Sequence, residues 1–173
     1  MKLGRIEKRK PRSRRSESVI LFAVAQYKFA IAAHAVDEIR NLEGLQPLGQ
    51  AFCRAGKVRH VFQRDHRTYF VVDANLHLRI LSSHATRLLL LRDASVALTA
   101  DSIDRMAQIT ALHPLPHAFQ GEERDWYRGL ALIGEDVVPV VNPAALLSKA
   151  EIVKLQDSLP KLEAAAQVAG SRW

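Results

Sequence analysis

Cysteine is almost absent from this sequence. Cys53 is the only one among 173 residues, which excludes an internal disulfide framework and any zinc site built on several cysteines. A lone cysteine without the local signature of a cysteine enzyme gives no support to a nucleophile. The low cysteine content fits a reducing compartment, so the sequence predicts a cytoplasmic protein.

Long apolar segments are missing as well. Apolar runs such as residues 19–24 and 88–91 are far shorter than the roughly 18 residues that a membrane-spanning helix requires. The basic N-terminus lacks the apolar stretch of a secretory signal. We therefore expect neither translocation nor an integral membrane protein.

Motifs that carry catalysis are also lacking. The eight glycines are scattered and form no phosphate-binding loop, nucleophile elbow or dinucleotide fingerprint. His60, His66 and His77 lie near Asp65 in the sequence, but their spacing matches no zinc motif. The sequence predicts no enzyme, no metal and no cofactor.

The positive charge is concentrated at one end of the chain. Residues 1–17 hold eight Lys/Arg against two Glu, so they carry six of the seven net positive charges. Such a segment cannot bury enough apolar surface to order itself. We predict that residues 1–17 form a basic disordered tail. Four roles stay open for it: binding of anionic lipid, of an acidic partner or of nucleic acid through salt-sensitive attraction, or an aid to solubility alone.

Short apolar segments follow the tail. Residues 19–24 and 27–31, separated by Ala25 and Gln26, predict a β-hairpin. Turn-like links join several of the later segments, as antiparallel connections require. Asn142 and Pro143 favour the start of a C-terminal helix, which Pro160 should interrupt before residues 161–168. The remaining strand candidates are residues 58–62, 68–72, 87–91, 95–100, 129–133 and 137–141.

Three blocks of the sequence resemble the CheW family. The first contains a V-x-E-I segment after the hairpin, at residues 36–39, and the second is residues 96–103, with Asp101 at the family's Asp. The third and most specific runs from Tyr127 through Gly134 to an apolar strand, Asn142 and a Leu-Leu pair at 146–147. The blocks cover about residues 18–148, which we predict to be the domain, followed by a helical extension at 149–173.

The resemblance implies a mainly β fold: two small SH3-like antiparallel β-barrel subdomains that share a core, with short helices and a C-terminal helix. It also implies a non-enzymatic adaptor that couples the regulatory domain of a CheA-type histidine kinase to the cytoplasmic tip of chemoreceptors, recruited to receptor arrays at the inner membrane. The partner-binding residues that it implies are Val36, Glu38, Ile39, Arg40, Arg59, Arg64, Asp65 and Gly129.

One block departs from the family pattern. Where the family has a G-x-x-N-L-R-G turn, this chain has His60 and His66 in place of the two glycines. Asp65 takes the arginine's place, and Arg64 comes one position early. The local charge is reversed, which predicts a specialised form of coupling.

Single positions carry further expectations. Ile39 is expected in the core, and Asp73 and Asp101 should accept hydrogen bonds from turn amides at strand ends. Trp126 should pack inward, and Gly129 should permit a close backbone approach.

A second function stays open at this point. Phe62, Tyr69 and Phe70 lie among basic residues and could form a stacking platform for single-stranded nucleic acid. Against this, the aromatics occupy strand positions that alternate with polar ones, which favours core packing. The basic residues concerned are Arg54, Lys57, Arg59, Arg64 and Arg67.

Overall fold

The computed structural model describes residues 16–48, 56–81 and 84–157, together with Leu159. Residues 1–15 of the predicted basic tail at 1–17, Cys53, Arg54 and the second helical piece at 161–168 lie outside these residues. Glu17, the last residue of the predicted tail, instead begins the first strand. The described elements are β1 (Glu17–Val24), β2 (Tyr27–Ala32), β3 (Val36–Asn41), β4 (Gln46–Pro47), β5 (Val58–Arg64), β6 (Arg67–Val72), α1 (Ala74–His77), β7 (Arg87–Leu91), β8 (Val96–Ala100), β9 (Ser102–Ile109), β10 (Tyr127–Ile133), β11 (Asp136–Val141) and α2 (Lys149–Gln156).

One sheet has five strands in the order β10-β11-β2-β1-β9. The predicted hairpin is confirmed: β1 pairs antiparallel with β2, and Val24 faces Tyr27 across the loop of Ala25 and Gln26. The Asp101 carboxylate accepts a hydrogen bond from the Ala25 N–H at 2.7 Å. The residue between β8 and β9 thus fixes the turn between β1 and β2.

The second sheet has six strands in the order β3-β7-β8-β6-β5-β4. Its β5–β6 hairpin closes between Arg64 and Arg67. The two loop residues, Asp65 and His66, both have positive φ, 47° and 64°, which is the signature of a type I′ turn. Glycine or asparagine usually supplies that conformation, so the turn that the family builds with glycine is kept here at some steric cost.

Both sheets are mostly antiparallel, as predicted. The exceptions among the described pairs are β11 with β2 and β6 with β8, which run parallel. Each parallel contact brings together strands that are distant in sequence, so it requires a crossover that short turns cannot predict.

Three apolar clusters hold the sheets. One lies within the five-stranded sheet and includes Val19 and Leu21, and another lies on the six-stranded sheet around Leu88 and Leu90. The largest draws on both sheets and on α2, through residues such as Phe22, Leu98 and Leu155. The predicted pair of β subdomains with a shared core is therefore confirmed.

In the part of the chain that the structure describes, the sheets are not closed into barrels, and this corrects the predicted architecture in one respect. In the five-stranded sheet, a single bridge joins β10 to the segment after β9: His113 N–H donates to the Leu130 carbonyl at 2.7 Å, and Leu130 N–H donates to His113 at 2.9 Å. In the six-stranded sheet, β3 and β4 remain the two edges. A closed barrel needs a continuous ladder between its end strands.

The C-terminal helix begins later than predicted. Asn142 does cap the chain, because its side chain accepts from Ala144 N–H, but the capped element is a 3₁₀ turn at Pro143–Ala145. The helix α2 starts at Lys149, where Ser148 and Glu151 form a reciprocal capping box. No helix in the described part of the chain is long and apolar enough to cross a membrane.

Candidate partner-binding surface

β3 forms one edge of the six-stranded sheet and carries four of the predicted site residues. Val36 is 6% exposed and belongs to the shared core, so its side chain lies beneath the surface. Ile39 is 39% exposed, and the expectation that it is a core residue is wrong. A bulge at Asp37, where Val36 pairs with Leu91 but Glu38 with Leu90, interrupts the strict alternation that the sequence suggests.

The charged residues of β3 meet the end of β5. The Arg64 guanidinium forms an ion pair with the Glu38 carboxylate and a second one, at 3.0 Å, with Asp65. The Arg40 Nε lies 3.7 Å from the other Glu38 oxygen. Four of the predicted residues, from two separate segments, therefore form one group: Glu38, Arg40, Arg64 and Asp65, which we call the arginine–carboxylate cluster.

The cluster balances two guanidinium groups against two carboxylates. Arg64 turns back toward Glu38, and its side chain is 35% exposed, whereas the Asp65 side chain is 83% exposed. The tip of the β5–β6 turn consequently presents a carboxylate to solvent. Exposed ion pairs of this kind contribute little to folding stability, about 0–1 kcal/mol each, which leaves these side chains available for a partner.

The aromatic residues beside the cluster are core residues. Phe62, Tyr69 and Phe70 are 7%, 3% and 1% exposed, so these three offer no platform on which bases could stack. Arg40 lies over the Phe62 ring at 5.3 Å, and Arg67 lies over Tyr69 at 5.0 Å. The two rings thus make cation–π contacts with these arginines. Because the rings are buried, the structure favours their role in the core over the nucleic-acid alternative.

The other predicted site residues lie apart from the cluster. Arg59 is exposed near the start of β5. Gly129 is buried on β10 of the other sheet, where a Cβ atom would come within 2.6 Å of the His113 carbonyl oxygen. The expected close backbone approach at Gly129 is therefore confirmed.

A groove between the two sheets was not predicted. It encloses about 920 Å³ and is lined mainly by apolar side chains. Tyr27 and Leu81, which are 52% and 89% exposed, are the most open of these. The sequence gives no signal of the groove because its walls come from four distant segments. The lining residues include Tyr27, Phe29, Leu78, Ile80, Leu81 and Tyr127.

The connection after α1 forms one wall of the groove. The Asp73 carboxylate caps α1 by accepting from the N–H groups of Asn75 and Leu76, as expected for a carboxylate at a strand end. Arg79 then adopts a φ of 54°, donates to Glu123 at 2.9 Å and lies 5.3 Å from the Trp126 ring. Trp126 packs against the shared core, as predicted. These contacts link the two sheets beside the groove.

The described residues contain no group of three or more His, Cys, Asp or Glu side chains placed to hold a metal ion. His60 lies within β5, whereas His66 lies in the turn and His77 is buried.

Comparisons with known proteins agree with this geometry. The sequence model of the CheW-like domain matches residues 10–151. The crystal structure of the scaffolding protein TtCheW from Thermoanaerobacter tengcongensis is similar, with a TM-score of 0.67 over 76% of this chain and 92% of that chain. The identity is 11%, so this likeness concerns the fold alone. Among curated proteins none matches the sequence.

Proposed function

The chain belongs to the CheW-like domain family, and from that premise we propose that it joins the regulatory domain of a CheA-type histidine kinase to the cytoplasmic tip of a chemoreceptor. The family consists of non-catalytic chemotaxis coupling adaptors, so the chain acts by recognition and not by catalysis. Recruitment to receptor arrays at the inner membrane follows from the same proposal.

The arginine–carboxylate cluster is the observation that carries this proposal. Glu38 and Arg64 lie on different strands and are brought into direct contact, with Arg40 and Asp65 beside them. Charged groups arranged in this way select partners by electrostatic complementarity more than they add affinity. We assign this surface to the kinase regulatory domain.

An adaptor that couples two proteins needs a second surface. The groove between the sheets is mainly apolar, whereas the arginine–carboxylate cluster is charged, and the two surfaces share no residue. We assign the groove to the receptor tip, whose contacting segment should present apolar side chains to Tyr27 and Leu81.

The test of the kinase assignment is calorimetric titration of the full chain with the regulatory domain of the CheA-type kinase from the same genome. Glu38→Lys places a third positive charge beside Arg40 and Arg64, so binding should weaken at least about tenfold. Glu38→Gln, which removes the charge and keeps the shape, should weaken binding less.

The matched control is Glu135→Lys, the same charge change at an exposed position in the turn between β10 and β11. It should bind like the unchanged protein. Equal losses for Glu38→Lys and Glu135→Lys would show a response to net charge alone and would reject the cluster as the kinase surface. Absence of binding by the unchanged protein would reject the kinase itself.

A further inference from the structure

The hydrogen bonds between β3 and β7 show which backbone groups of β3 point away from the sheet. The Leu42 N–H donates to the Thr86 carbonyl at 2.9 Å, whereas the Thr86 N–H donates to the Ala100 carbonyl at 2.9 Å. One hydrogen bond therefore marks the opposite residues 42 and 86 as a hydrogen-bonded position of the ladder. In an antiparallel ladder such pairs recur every second residue. With the β3–β7 register, Arg40 opposite Leu88 and Glu38 opposite Leu90 are therefore also hydrogen-bonded pairs.

The backbone groups of Ile39 and Asn41 consequently point away from β7. The Asn41 carbonyl accepts from the Glu43 N–H at 2.9 Å. Nearer the start of the strand, the Arg92 guanidinium lies 3.4 Å from the Val36 carbonyl. Between these two positions β3 pairs with no described strand other than β7, so the N–H and C=O of Ile39 and the N–H of Asn41 face no further strand.

Free backbone groups in this arrangement select one kind of ligand. They alternate in a row along a sheet edge, and an added strand satisfies such a row residue by residue. An open hollow of about 430 Å³ lies along the same edge, lined by Glu38, Ile39, Arg40, Asn41, Glu43 and Arg87. The half-exposed Ile39 side chain offers an apolar contact at its centre, between oppositely charged neighbours.

We propose that the outer edge of β3 binds an extended segment of the kinase regulatory domain as an added β-strand. This inference rests on the proposed function, because the edge is continuous with the arginine–carboxylate cluster through Glu38 and Arg40. The segment places an apolar side chain opposite Ile39 and alternates basic and acidic side chains to match Glu38 and Arg40. Backbone hydrogen bonds supply the contact, and these side chains supply the selectivity.

Amide hydrogen exchange, measured by NMR on the full chain with and without the kinase regulatory domain, tests the added strand. In the free protein the amides of Ile39 and Asn41 should exchange fast, and those of Glu38 and Arg40 slowly. In the complex the Ile39 and Asn41 amides should slow by at least about tenfold, while Glu38 and Arg40 change little. A complex in which Ile39 and Asn41 stay fast would overturn the added strand and leave the proposed function intact.

Two substitutions at position 39 distinguish the contribution of the backbone N–H to kinase binding from that of the side chain. Ile39→Pro removes the outward N–H as well as the isoleucine side chain, at an edge position where proline is tolerated, and should weaken kinase binding at least about tenfold. Ile39→Ala keeps the N–H and should weaken binding only about twofold to fivefold. Equal weakening by both, at unchanged thermal midpoints, would reject the backbone contact.

The remaining outcomes also decide the question. Absence of any complex with the kinase domain overturns both the inference and the proposed function. Slowing of the Ile39 and Asn41 amides with rising concentration of this chain alone would place a second copy on the edge and overturn the kinase assignment.

Discussion

At the scale of single residues, His77 is the buried group whose protonation matters most. It is 3% exposed, its ring centroid lies 4.8 Å from that of Trp126, and its Nε2 has no hydrogen-bond partner among the described residues. Burial, with a contribution from the positive charge of Lys57, lowers the pKa of His77 to about 4. The side chain is therefore neutral at pH 7 and acts as a core residue.

His77 should make the folded state sensitive to acid. In the unfolded chain its pKa is about 6.5, so as the pH falls the unfolded state takes up the proton first. The stability is fully present above pH 6.5 and is lost as the pH falls toward 4, by about 2 kcal/mol at pH 5. In urea denaturation at pH 7.5 and pH 5, His77→Phe should lose less stability between the two pH values than the unchanged protein.

The control for this prediction is His117→Phe, because His117 is exposed. It should keep the pH dependence of the unchanged protein. If His77→Phe and His117→Phe lost the same stability between pH 7.5 and pH 5, His77 would not be the group responsible.

Residue roles were predictable where they follow from local chemistry. The carboxylates of Asp73 and Asp101 were expected to bind turn amides, and they do. The exposure of Ile39 was not predictable, because it depends on the bulge at Asp37 and on the absence of a further described strand beyond β3. The pairing of Arg64 with Glu38 joins segments 26 positions apart, and only the family resemblance pointed to both.

At the scale of secondary-structure elements, the apolar strands were predicted well. β7 is Arg87–Leu91 in the sequence prediction and in the structure, because its leucines are buried on both faces. β9 was missed: its sequence SIDRMAQI is largely exposed, with only Ile109 buried. It is ordered through pairing with β1, and polar edge strands of this kind show little hydrophobic pattern.

Gly129 holds the link between β10 and the segment after β9. Its φ of 151° and the 2.6 Å approach of the His113 carbonyl oxygen to a would-be Cβ leave no room for a side chain. Gly129→Ala should therefore break the His113–Leu130 bridge and lower the free energy of unfolding by about 2–4 kcal/mol. Urea denaturation measures the loss.

Gly56→Ala is the matched control, because a Cβ at Gly56 meets no atom of the described residues within 4 Å. It should change the free energy of unfolding by less than about 1 kcal/mol. Weaker kinase binding by Gly129→Ala at unchanged stability would instead make Gly129 a contact residue, as the family resemblance implied.

At the scale of the whole molecule, the shared core ties the two sheets together. Phe22 and Ile31 of the five-stranded sheet belong to the same cluster as Phe70 and Leu98 of the six-stranded sheet. The Arg79 contacts with Glu123 and Trp126 add a polar link between the two sheets. Because the candidate receptor groove lies between the two sheets, their relative position also sets the shape of the groove.

This arrangement predicts that the two sheets unfold as one unit. Leu21 is 3% exposed and belongs to the cluster within the five-stranded sheet. Leu21→Ala should cost about 2–5 kcal/mol through the cavity that it leaves. Because a sheet that has lost its partner exposes the shared cluster, amide protection in β7 and β8 should fall by the same free energy as in β1. Hydrogen exchange of the variant decides this: undiminished protection in β7 and β8, beside lowered protection in β1, would mean that each sheet is stable alone, and the groove would then lie between two independent units.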